Sequence, residues 1–175
     1  MSHIKDQRKA SGFTFTTLCR DRHFILGVES LKKNGWAKYT DVYIGLDYPA
    51  KETHWNGYRK ICDYLENGDF SIFASFNIIK RTSNIGSLAN IDTTRDLLME
   101  QYDRWIMAED DIEFAPVFLE YMNKCLDYYE DDPDPSAPHG LWDLRHREYP
   151  QRTAFLPTDP FPVCQLVFPT LSLQC

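Results

Sequence analysis

No cysteine of this chain stands in a C-x-x-C pair; the five (Cys19, Cys62, Cys125, Cys164 and Cys175) are odd in number and widely spaced. That excludes a closed disulfide framework and a ribbon-type zinc site, and it suits reduced thiols. Long hydrophobic runs are missing too: none approaches the roughly 20 apolar residues that cross a bilayer. The opening MSHIKDQRKASG is polar and has no apolar stretch of the signal-peptide kind, so a cytoplasmic location is expected. Positive charge is short, with 19 Lys and Arg against 26 Asp and Glu and a formal net charge of −7. With an isoelectric point near 5.2, nucleic acid and anionic membranes are poor candidates for the main partner. A local basic patch for phosphate stays compatible with that total. Proline is scarce through the first three quarters: only Pro49 and Pro116 precede residue 133.

What is present describes a globular α/β domain. At 175 residues, 43% hydrophobic and 14% aromatic, the chain is long enough for one well-buried domain. Phe13–Leu18 is β-branched and aromatic and reads as a strand. Phe24, Ile25, Val28 and Leu31 recur at helical spacing, with Gly35 as the stop. Asp41–Leu46 is a second strand, closed by Asp47-Tyr48-Pro49; Trp55, Tyr58, Ile61, Cys62 and Leu65 mark a second helix ended by Asn67-Gly68. A third strand is expected within Phe70–Ile79, then a turn at Ser83–Gly86. Leu88, Ile91, Leu98 and Tyr102 suggest a helix whose apolar face is interrupted near Thr94–Arg95. A strand at Trp105–Ala108 follows. Ala115-Pro116 then opens a helix with Val117, Phe118, Tyr121, Met122, Cys125, Leu126 and Tyr129 on one face. This alternation predicts a mostly parallel, Rossmann-like sheet with helices on both faces.

Directly behind the apolar strand Trp105–Ala108 stand Glu109, Asp110 and Asp111. Carboxylates near a core lose hydration and repel one another, so they need hydrogen bonds, protonation or a cation. Hard ions such as Mg²⁺ and Mn²⁺ take oxygen ligands, commonly one or two carboxylates plus substrate phosphates. The bland reading, that Asp110 and Asp111 favour the N-terminus of the next helix, accounts poorly for three acids four residues ahead of it. Ligands of parallel sheets bind outside the strands' C-terminal ends, where Arg20 and Arg22, Asp47 and the acids all fall.

The segment WIMAEDDIEFAPVFLEY (residues 105–121) resembles the metal-binding segment of nucleotide-sugar glycosyltransferases with the GT-A fold. It is similar above all to N-acetylglucosaminyltransferase I-like enzymes. LCRDRHFILGVESL resembles their first strand–helix unit and TDVYIGLDYP the second strand with its terminal Asp. RTSNIGSLAN is similar to the Asn-x-Gly segment of family 2 glycosyltransferases. The resemblance covers about residues 13–132, the front part of such a domain. It implies a UDP-sugar donor, Mn²⁺ or Mg²⁺, and inverting transfer to the hydroxyl of a carbohydrate or glycoconjugate acceptor. Asp111 becomes the direct metal ligand, with Glu109 and Asp110 supporting ribose or the metal's surroundings. Asp47 either accepts a hydrogen bond from the uracil N–H or shapes the turn before Pro49. Arg20 or Arg22 contacts base or phosphate, or is a solvated loop charge. Asn84 and Gly86 shape the loop beneath the nucleotide, or are an ordinary Asn–Gly turn.

The organisation expected is a polar leader (1–12), a nucleotide-sugar domain (13–132) and an irregular, Pro-rich tail (133–175) that holds eight of the ten prolines. The tail matches no family ending and offers no convincing general base, so a truncated or altered C-terminus is expected. The alternative to an active transferase is a non-catalytic module that keeps the nucleotide half.

Overall fold

The computed structural model describes residues 11–102 and 104–128; nearly all of the leader and the whole tail lie outside them. Four parallel strands, β1 (Gly12–Thr17), β2 (Asp41–Leu46), β3 (Ser75–Lys80) and β4 (Trp105–Glu109), form a sheet in the order β3-β2-β1-β4. They alternate with helices α1 (Asp21–Lys32), α2 (Trp55–Asn67), α3 (Ser87–Met99) and α4 (Phe118–Tyr128). The expected α/β sheet of parallel strands, with helices on both faces, is the fold.

Strand periodicity sorts the two faces. Phe13 and Phe15 of β1, Val42 and Ile44 of β2, and Ile106 and Ala108 of β4 point the same way and pack with α1, α2 and α4. Phe24, Val28, Leu31, Ile61, Leu119 and Met122 close this main core. Each such side chain contributes ~1.5–3 kcal/mol over an exposed one. The other face carries Tyr43, covered by Leu98 of α3 and by Tyr102. β2 is buried at all six positions because it is central and covered on both sides.

The helix placement follows from connection handedness. The chain adds β2 and β3 in one direction from β1, then returns to lay β4 against the far side of β1. A right-handed crossover that reverses direction must pass over the opposite face, and α3 is on it.

Two boundaries differ from expectation, at β3 and α4. β3 begins at Ser75, because Phe70–Phe73 is a turn in which the Phe73 amide donates to the Phe70 carbonyl (3.1 Å). Its apolar residues serve packing: the Phe70 ring stacks on Phe76 with centroids 4.0 Å apart. α3 is one helix, as expected, and the polar residues on its apolar face find partners: Thr94 is wholly buried against the sheet and Arg95 pairs with Asp92 (2.9 Å) and Asp96 (3.1 Å). α4 starts at Phe118 rather than Ala115, and Val117, expected on its buried face, is 64% exposed. Tyr129 lies outside the described residues.

Candidate functional site

Strand alternation divides the acidic triplet. Glu109 is the last residue of β4, paired beside Thr16, and faces the α3 side exposed. Asp110 follows Ala108 on the opposite side, where Thr17 of β1 also points. The Thr17 hydroxyl donates to Asp110 Oδ2 at 2.6 Å, and Asp110 is 4% exposed. Asp111 has turned outward.

Arg20 bridges the two aspartates. It occupies the N-terminal boundary of α1, its carbonyl accepting the Phe24 amide at 3.0 Å. Its Nη2 donates to Asp110 Oδ1, and its Nη1 to Asp111 Oδ2 at 3.1 Å. One guanidinium therefore forks across two carboxylates. Burial pushes the Asp110 carboxyl above its ordinary value, against the downward pull of Thr17 and Arg20. Burial works to lower the Arg20 value, but Asp110 and Asp111 outweigh it and raise it. The two directions agree with their settings: Asp110 is deeply desolvated and Arg20 only half so.

Two close contacts hold this corner. The Cys19 carbonyl lies so near Gly57 of α2 that a Cβ there would stand 1.8 Å from its oxygen, so only glycine lets α2 seat the turn that presents Arg20. After Asp111 the chain folds back on α1. A Cβ on Gly27 would meet the Ile112 carbonyl at 2.8 Å, and the Phe114 amide donates to Ser30 Oγ at 2.8 Å.

Asp47 and Asn84 meet in a second cluster. Asp47 is 3% exposed and accepts from the amides of Tyr48 (2.8 Å), Ile85 (3.0 Å) and Gly86 (3.0 Å) and from Asn84 Nδ2 (3.1 Å). A carboxylate has about four acceptor positions, and four donors fill them. Asp47 thus holds the loop after β3, and a base N–H would have to displace one of those donors. The sequence placed all three strand-end groups in one site; instead Arg20 joins the acids between β1 and β4, and Asp47 joins Asn84–Gly86 between β2 and β3. The clusters touch through the Asp47 amide, which donates to the Thr17 carbonyl at 3.0 Å. Arg22 is exposed and outside both.

Sequence reasoning passed over Thr17, Gly27, Ser30, Gly57 and Arg81. Thr17 was detectable by carrying the β1 alternation one step past Phe15. Arg81 donates to Asn90 Oδ1 (3.0 Å), Thr93 Oγ1 (2.7 Å) and Thr94 Oγ1 (3.1 Å), tying the end of β3 to α3. Trp55 packs with Tyr48 and Tyr58 at centroid distances of 5.5 and 5.7 Å, partly buried against the main core. His54 accepts the Ala50 amide through Nδ1 (3.3 Å) and closes a local turn.

The residues fit a divalent cation in one manner. Arg20 already stands in as a cation against Asp110 and Asp111, and all the donors are the hard oxygens such ions take. Asp110 has one donor on each oxygen and is buried, whereas Asp111 uses one oxygen and its side chain is 45% exposed. Among the described residues no three His, Cys, Asp or Glu side chains converge on one point. The chain would supply Asp111, and a phosphate ligand and water the remainder.

No protein-family model matches this chain, and no curated protein does. Among solved structures it is similar to TarS of S. aureus, a glycosyltransferase, at 12% sequence identity and a TM-score of 0.48. The match covers 68% of this chain and spans 20% of TarS. At that level the likeness is one of chain path and carries no argument about activity.

Proposed function

We propose that this chain binds a nucleoside-diphosphate sugar, with UDP as the nucleotide, at the crevice between the C-terminal ends of β1 and β4, and transfers the sugar to an acceptor hydroxyl with inversion. The observation that carries the reading is the set Thr17, Arg20, Asp110 and Asp111 at the point where the strand order reverses direction. In open parallel sheets that point is where nucleotides bind. The resemblance of residues 105–121 to glycosyltransferase metal segments supplies the reaction class.

Each group has a task that its position suits. Asp111 would hold Mn²⁺ or Mg²⁺, and Asp110 stays buried as the fixed anion that orients Arg20. Arg20 offers fork-shaped donors to the diphosphate. The nucleoside lies over the loop that Asp47 holds at Asn84–Gly86, with Glu109 at the ribose side. A bound divalent cation neutralises charge that grows on a departing diphosphate.

Calorimetric titration with UDP, with and without Mn²⁺, tests the reading. Binding that strengthens with Mn²⁺ is expected, and Asp111→Asn should weaken the Mn²⁺-dependent part by roughly tenfold or more, the scale at which even supporting contacts of metal sites count. Equal UDP binding by wild type and Asp111→Asn would remove Asp111 from its role. Binding without turnover of UDP-sugars would assign the non-catalytic reading instead.

A further inference from the structure

The two halves of the Arg20 bridge are unequal. The Asp110 side is desolvated, with the carboxylate side chain 5% exposed. The Asp111 side is open to water at both partners, 43% exposed for Arg20 and 45% for Asp111. An exposed, single-point ion pair is weakly held and easily exchanged. A buried carboxylate that loses its cation is left with a large desolvation cost and keeps its partner. Arg20 is therefore anchored at Asp110 and loosely attached at Asp111.

We infer that Arg20 is an internal counter-cation, occupying Asp111 in the free protein and yielding it when a divalent cation arrives together with a diphosphate. This rests on the nucleotide reading above and adds an order to it. Without nucleotide, a divalent ion at Asp111 must either break the 3.1 Å contact or take the other carboxylate oxygen, and in both cases it sits beside a like charge. With nucleotide, the phosphate oxygens accept the Nη1 donor that Asp111 releases, so no guanidinium hydrogen bond is lost. Metal and nucleotide then bind cooperatively, each by the same factor on the other. Gly57 and Cys19 fix the turn from which Arg20 reaches, so the exchange needs only the end of the side chain to move.

The test separates charge from fork. Arg20→Gln removes the cation. Arg20→Lys keeps a charge for buried Asp110 but reaches only one carboxylate at a time, which frees Asp111 while the fold keeps its buried pair. Mn²⁺ binding is read by the electron paramagnetic resonance signal of free Mn²⁺, without nucleotide, on protein whose melting temperature has been recorded. Both variants should bind Mn²⁺ tighter than wild type, on the order of fivefold or more, while Arg20→Gln binds UDP with Mn²⁺ more weakly. If wild type takes UDP with Mn²⁺ but neither variant gains in Mn²⁺ alone, the counter-cation role is overturned and the nucleotide site stands. If the variants gain Mn²⁺ affinity but UDP never binds, the counter-cation role stands and the nucleotide reading falls. If no form binds Mn²⁺, both fall.

Discussion

Thr17 donates to a carboxylate that has almost no water around it, so its hydroxyl matters more than its size. Thr17→Val keeps the shape and removes the donor. It should destabilise the protein by ~1–3 kcal/mol, measured by urea unfolding, because a buried acceptor loses its partner. Glu29 shows the opposite balance. Burial works to raise its value, but the Tyr64 hydroxyl (2.7 Å) and the Lys32 ammonium (2.9 Å) lower it, so its carboxyl sits below the ordinary 4.5. The folded form thus prefers the charged Glu29, and this stability is present above the ordinary glutamate value and lost as pH falls through the lower native one. Tyr64→Phe should flatten that acid limb of melting temperature against pH and leave the neutral region shifted without slope.

At the level of elements, the corner that presents Asp111 depends on α1 as a platform. Gly27→Ala would press a methyl against the Phe15 ring at 2.7 Å and the Ile112 carbonyl at 2.8 Å. We expect a loss of ~1–3 kcal/mol from overpacking, with weaker Mn²⁺-dependent UDP binding as Ile112 drags Asp111 outward. Calorimetry beside thermal melting checks both. These contacts also mark how far the sequence could be read. β2 was bounded correctly at both ends, since an apolar run between Thr40 and Asp47-Tyr48-Pro49 has one interpretation. The apolar face of α3 read as interrupted at Thr94–Arg95 because what makes a buried Thr94 acceptable, its packing on the sheet and the Arg81 donor, comes from other elements. Phe70–Phe73 looked like strand because aromatic side chains pack as well from a turn. The acids were found, but their division between two faces needed the register of β4 against β1. Capture of Asn84–Gly86 by Asp47, 37 to 39 residues away, has no local signature.

For the molecule as a whole, the decisive fact is strand order. Alternating elements imply a parallel sheet, but several orders satisfy them. Only with β4 beside β1 does Arg20 reach Asp110 and Asp111, and only with β3 beside β2 does Asp47 meet the following loop. The four donors gathered on Asp47 also carry a kinetic meaning. Three of them come from the loop itself, and a loop released only by breaking three bonds together has no cheap open form, so the floor of the crevice exists before any ligand arrives. Encounter should then need no waiting step: in stopped-flow mixing with a fluorescent UDP analogue and Mn²⁺, the observed rate should rise linearly with analogue concentration. Asp47→Asn turns one of the two oxygens into a donor group, which then faces either the Tyr48 and Ile85 amides or the Asn84 amide group and the Gly86 amide and frees the loop to fluctuate. In that variant the rate should level off at a ceiling set by loop closure, making one carboxylate the difference between a standing surface and a gate.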